Sequence, residues 1–171
     1  GRCSSMVTLS GTQESDFGPA VLQISGDVEV MLDDLTLSGA GIGLSVSGGA
    51  TVDLQRVRIS KSVGAGLHGS GAGTKINAQV LRVAGTEPRE DGSGGEGVRL
   101  EAGASLSMER GLVDGNIRYG AHLQTDGLVS FEDVIVSRTE LDPEEIPGAG
   151  VWLDGGATMS LVRVNLVDNA S

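Results

Sequence analysis

Cysteine is almost missing from this sequence, with one thiol, Cys3, in 171 residues. A lone thiol closes no internal disulfide, so a cystine framework is excluded. Aromatic side chains are nearly as scarce, limited to Phe17, Tyr119, Phe131 and Trp152. Any core therefore has to be assembled from Val, Leu, Ile, Met and Ala, which is unusual for a compact enzyme. No apolar run approaches the roughly 20 residues that a membrane-spanning helix requires, and no signal-peptide pattern is present. No stretch carries the apolar stripe of an amphipathic helix. Basic residues are outnumbered, 12 Lys and Arg against 23 Asp and Glu, for a net charge of −11. That balance argues against nucleic acid, anionic membranes and free polyanions as partners.

Glycine, by contrast, is abundant at 28 residues, and its placement is periodic. Aligning on a glycine or small residue before a short apolar strand gives starts at Val21, Gly43, Gly66, Gly97, Gly120 and Gly150, spaced 22, 23, 31, 23 and 30 residues. The two long intervals carry insertions. Within a copy the pattern recurs as Gly43-Leu44-Ser45-Val46, Gly49-Ala50-Thr51-Val52-Asp53-Leu54 and Val57-Arg58-Ile59. A later copy reads Gly150-Val151-Trp152-Leu153, Gly156-Ala157-Thr158-Met159-Ser160-Leu161 and Val164-Asn165-Leu166. Each segment alternates with period two, the signature of a strand with one buried face.

Three short strands in some 22 residues cannot close a core alone, but stacked copies can, with equivalent positions about 4.8 Å apart. The chain is thus expected to be all-β, a right-handed parallel β-helix solenoid of about six coils of 22–23 residues with two to three loop insertions. By this repeat architecture, over residues 7–169, it resembles the right-handed parallel β-helix superfamily, the pectate-lyase-like group. No catalytic motif carries the resemblance. Residues 1–171 read as a single β-helix segment of a longer chain. Leu44, Val46, Val52, Leu54, Val57 and Ile59 are expected inside with their counterparts in other coils.

Stacking converts a sequence column into a physical ladder. Thirteen residues after each start, or fourteen in the copy that starts at Gly66, stand Asp34, Arg56, Val80, Arg110, Asp133 and Arg163, a mixed-charge column suited to exposed ion pairs that fix register. On the outer face of the first strand, two residues after each start, stand Gln23, Ser45, His68, Arg99, His122 and Trp152. Beside them run Ser25, Ser47, Ser70, Glu101, Gln124 and Asp154. An indole flanked by Arg, His and carboxylates suits a sugar ring, the indole covering its apolar face while polar groups meet the hydroxyls. His68, Arg99, Glu101, His122, Gln124, Trp152 and Asp154 are accordingly the candidate ligand-binding residues, with both histidines expected at the surface.

Loops at residues 86–96 and 139–149 lead directly into first strands, and residues 12–20 form a shorter third member. In the resembled superfamily, loops in this position often wall the binding cleft. They are rich in carboxylates, of which Glu90, Asp91, Asp142 and Glu144 are the candidate ligands for calcium, a cation that takes six to eight oxygens. No known loop motif matches their spacing, and no other cofactor is indicated. The alternative is plain surface charge that keeps the molecule soluble.

Glu101 and Asp154 lie two coils apart, about 9.6 Å between backbones, beyond a retaining carboxylate pair and at the edge of the inverting range. Glu101, Asp154, Arg99 and His122 are the candidate catalytic residues for an inverting hydrolase or a polysaccharide lyase acting on an acidic polysaccharide. The Gly92-to-Gly97 match to a dinucleotide fingerprint precedes a strand instead of a helix, so it cradles no phosphate. The expectation is an extracellular or cell-envelope module that binds carbohydrate or serves as an adhesive surface, monomeric apart from end-to-end association. The alternatives are the enzyme just described and a spacer without ligand.

Overall fold

The computed structural model describes residues 7–9, 20–39, 41–124, 126–141 and 148–169. Among them there is no helix, and 19 strands fall into three parallel sheets that together wind a β-helix solenoid. Sheet 1 stacks Ala20–Ser25, Ile42–Ser47, Ala65–Ser70, Glu96–Glu101, Tyr119–Gln124 and Ala149–Asp154. Sheet 2 stacks Glu29–Asp33, Thr51–Gln55, Lys75–Gln79, Ser105–Glu109, Leu128–Glu132 and Thr158–Val162. Sheet 3 stacks Val7–Leu9, Leu35–Ser38, Arg58–Ser60, Arg82–Ala84, Leu112–Asp114, Ile135–Ser137 and Asn165–Val167.

Alternation places every second residue in a core of aliphatic rungs. Leu44, Val46, Val52, Leu54, Val57 and Ile59 are all within 1% of full burial, and Leu67, Val98, Leu100, Leu123, Val129 and Val136 continue the rungs. Among the described residues, Phe131 is the one aromatic ring in this core. Beyond the last coil no described strand follows, and its inward residues Leu153, Leu161 and Leu166 are 43–52% exposed.

Two features explain the repeat itself. The mixed-charge column Asp34, Arg56, Val80, Arg110, Asp133 and Arg163 lies in left-handed backbone throughout, at φ between 51° and 57°, so it marks the bend from sheet 2 to sheet 3. The glycines at the starts of strands in sheet 1 are there for space. A Cβ at Gly43 would lie 2.2 Å from the Ile59 side chain, and one at Gly97 would lie 2.6 Å from the carbonyl of Gly120 in the next coil. Behind these glycines runs an internal polar column of Ser62, Thr86, Asn116 and Thr139, all at most 2% exposed. Its amides replace strand hydrogen bonds at the corner, Asn116 Oδ1 accepting from the Thr86 backbone N–H at 3.1 Å and Asn169 Oδ1 from that of Thr139 at 3.1 Å.

Candidate functional site

The register of sheet 1 stacks the two outer columns as the repeat requires. Gln23, Ser45, His68, Arg99, His122 and Trp152 are successive cross-strand partners, and so are Ser25, Ser47, Ser70, Glu101, Gln124 and Asp154. What alternation does not reveal is how this face is roofed. The side chains of His68 and His122 are only 4% and 10% exposed, so the expectation of surface histidines is corrected. Both lie under the loop and strand residues that pack around them.

The loop at 86–96 supplies the cover. It runs back over the preceding coil, where Glu87 N–H donates to the Ser62 carbonyl at 2.9 Å and Gly95 N–H to the Gly64 carbonyl at 2.7 Å. Backbones approach so closely that a Cβ at Gly94 would sit 2.5 Å from Gly64 Cα, which is why the loop closes on glycines. Arg89 crosses above Gly64, and Arg89, His68, Glu96 and Arg99 line a recess of about 20 Å³, room for about one water.

Glu96, the last residue of the insertion, is the centre of the arrangement. Its side chain is 4% exposed; Oε1 accepts from His122 Nδ1 at 2.8 Å and Oε2 from Arg99 Nη1 at 3.4 Å. Sequence reasoning counted it among the loop acids. Strict alternation assigns it the same face as the core residues Val98 and Leu100, but the pattern slips at Gly97, whose absent Cβ would point at buried Asn116 and Val113. The residue before the glycine is thereby turned outward, and Glu96 and Tyr119 both stand beside the strip. The available signal was the glycine itself, too crowded on the inside to carry a side chain.

A second carboxylate completes the network. Glu101 Oε1 accepts from His68 Nε2 at 3.1 Å, and Oε2 accepts from Arg99 Nε at 3.0 Å. The hydrogen bond from His68, together with the Arg99 charge, overcomes partial burial and lowers the Glu101 pKa to about 2. Burial works against the Arg99 charge, but Glu96 and Glu101 outweigh it and raise its pKa above the ordinary value. Held ionised, Glu101 has no proton to donate at neutral pH. Gln124 stands between Glu101 and Asp154 in the column, accepting from Arg99 Nη2 at 3.5 Å and donating to Asp154 Oδ2 at 3.5 Å.

The open part of the face lies on the last coil. Trp152 is 44% exposed, and its Nε1–H donates to Asp154 Oδ2 at 3.4 Å. Tyr119 lies between the buried and open parts, its ring centroid 4.8 Å from that of His122 and 5.9 Å from that of Trp152. His122 Nε2 is 3.5 Å from Asp154 Oδ2 without the alignment of a hydrogen bond. The sequence-predicted set thus divides. His68, Arg99, Glu101 and His122 form a packed foundation, whereas Trp152, Asp154 and Gln124 face outward.

Of the calcium candidates, Glu90 and Asp91 lie among the described residues. Asp142 and Glu144 lie outside the described residues, as do Glu14 and Asp16. Glu90 and Asp91 are exposed, and Asp91 Oδ1 is taken up by the Ser93 backbone N–H at 2.8 Å, which with the Ser93 hydroxyl lowers the Asp91 pKa. Among the described residues no three His, Cys, Asp or Glu side chains come together as a ligand set. Sheet 2 carries shallow grooves of about 300 and 200 Å³, the larger lined by Lys75, Asn77, Ser107 and Leu128. No helix of the described residues is long and apolar enough to cross a membrane. In comparison with known proteins, no family model, no curated protein and no solved structure matches this chain.

Proposed function

We propose that this β-helix is a carbohydrate-binding or adhesive surface module, extracellular or attached to the cell envelope, whose ligand lies along the outer face of sheet 1. The observation that carries the reading is the exposed Trp152 indole, fixed on a rigid stack beside Tyr119 with Asp154 and Gln124 at its edge. A pyranose presents an apolar face to such a ring and hydroxyls to the amide and carboxylate around it. The network of Glu96, His122, Arg99, His68 and Glu101 beneath keeps that platform in one geometry, which reduces the ordering cost of binding. In this reading His68 and His122 act as support and touch no ligand.

Catalysis is the second reading, favoured by one contact. Glu96 holds His122 through Nδ1, the arrangement that leaves an imidazole Nε2 to act as a base. Against it stands the burial of that Nε2. Glycan-array binding of the wild type and Trp152→Ala, both checked for folding by circular dichroism, tests the first reading. Binding that the variant loses is the expected result. Silence across the array for the folded wild type overturns it. Chain shortening of a bound glycan, abolished by His122→Ala, would replace binding with catalysis.

A further inference from the structure

The charges on this face are not equally available, and the difference specifies the ligand. Arg99 is the one arginine in the two columns, and its donors are committed inward: Nε and Nη2 to Glu101 at 3.0 and 2.9 Å, Nη1 to Glu96 at 3.4 Å, and Nη2 also to Gln124 at 3.5 Å. Two carboxylates more than balance its charge. A sugar carboxylate arriving at the strip would find no cation to spare.

Asp154 is the opposite case. Its side chain is 43% exposed, and the hydrogen bonds it accepts, from Trp152 Nε1 at 3.4 Å and Gln124 Nε2 at 3.5 Å, are at the long limit of such contacts. Among the described residues no lysine or arginine pairs with it. The imidazole below, with Nε2 3.5 Å from Asp154 Oδ2, makes no hydrogen bond to it. Next to this under-compensated carboxylate stand the Trp152 and Tyr119 rings, whose centroids are 5.9 Å apart at 38°. Aromatic faces attract cations. An exposed carboxylate at the edge of an exposed indole can pair with an ammonium group while the ring that carries it lies on the indole face, and the net charge of −11 draws cationic ligands toward the molecule from a distance.

We infer that the ligand of this face is an amino sugar chain with free, protonated amines, in which an ammonium pairs with Asp154 while the ring lies on Trp152. The inference rests on the carbohydrate reading and narrows it, and it sets aside acidic polysaccharides as the substrate class. Ammonium supplies three donors, enough to satisfy Asp154 and ring hydroxyl acceptors together.

Isothermal titration with three probes tests it: a glucosamine hexamer, the N-acetylated hexamer and a galacturonate hexamer, at a pH where the amines are protonated. The wild type is expected to bind the glucosamine hexamer about tenfold more tightly than the N-acetylated one and the galacturonate hexamer least. The preference should shrink as salt is added. Asp154→Asn, an exposed and nearly isosteric change that leaves the core untouched, should abolish the preference for amines while retaining the weaker binding of the N-acetylated hexamer. Trp152→Ala should weaken all three. Equal or tighter binding of the N-acetylated or uronate hexamer by the wild type, or an amine preference that survives Asp154→Asn, overturns the inference and leaves sugar binding standing. Failure of the folded wild type to bind any of the three overturns both.

Discussion

Two charged columns run up this solenoid at the same spacing, and they behave differently. At the bend between sheets 2 and 3, Arg56 pairs with Asp34 at 2.6 Å and Arg163 with Asp133 at 2.5 Å, with side chains 38–60% exposed. On sheet 1, the pairs of His122 with Glu96 and of His68 with Glu101 have similar lengths, but their side chains are 4–18% exposed. The bend pairs Arg with Asp and sheet 1 pairs His with Glu, and the two also differ in their cover. At the bend the side chains are open to solvent, which screens them. Over sheet 1, where the loop at 86–96 packs down, these side chains are nearly buried, so each polar group needs a partner and its loss leaves the other stranded. The contrast shows that an insertion in a solenoid can turn a register-fixing ladder into a rigid foundation for a site.

The largest expected effect comes from breaking the covered network. Glu96→Ala removes the acceptor of both His122 and Arg99 and should destabilise the fold by about 3–5 kcal/mol, a fall in melting temperature of about 10 °C measurable by calorimetry. Glu96→Gln, which keeps a carbonyl toward His122, should lose less. A loss no larger than that of a bend substitution would place Glu96 in the screened class.

Acid provides the next effect. The folded pKa of Glu101 is about 2, below its ordinary value of 4.5, so its contribution is fully present above about pH 4.5. It is lost as the pH falls from there toward 2. With screening of a partly open pair allowed for, the contribution is on the order of 2 kcal/mol. Urea unfolding of wild type and Glu101→Gln at stepped pH should give curves that converge as the pH falls through this window. Parallel curves would mean that Glu101 gains nothing from His68 and Arg99.

The smallest effect belongs to the bend. Arg56→Gly removes the pairs with Asp33 and Asp34 but places at φ 53° the residue best suited to left-handed backbone. No resolvable change in melting temperature is expected. A large drop would give the exposed ladder an energetic weight that its solvent contact denies it.

Much of this was legible in the sequence. The starts at Gly43, Gly66, Gly97, Gly120 and Gly150 located the coils, and the cross-strand partners of Arg99 and His122 follow from them without adjustment. Period-two alternation identified Leu44 and Val52 as core because their neighbours in adjacent coils repeat the pattern. The left-handed bend was not legible from its residues, since Asp, Arg and Val share no turn chemistry; the column earns its backbone from position, not composition. Glu96 was hidden for the reason already given, the slip at Gly97. The burial of His68 and His122 was hidden because it depends on where an irregular loop folds back, and periodicity carries no information about that.

The central claim is that the outer face of sheet 1 around Trp152, and no other face, meets the ligand. It is tested most directly by nuclear magnetic resonance titration of the isotopically labelled protein with the glucosamine hexamer. The account predicts shifts at the Trp152 indole N–H, the Gln124 side-chain amide and the backbone of Tyr119, with the Asn77 amide in the groove of sheet 2 unmoved. Shifts centred on Asn77 and Ser107, with Trp152 unmoved, would contradict it and transfer the site to sheet 2.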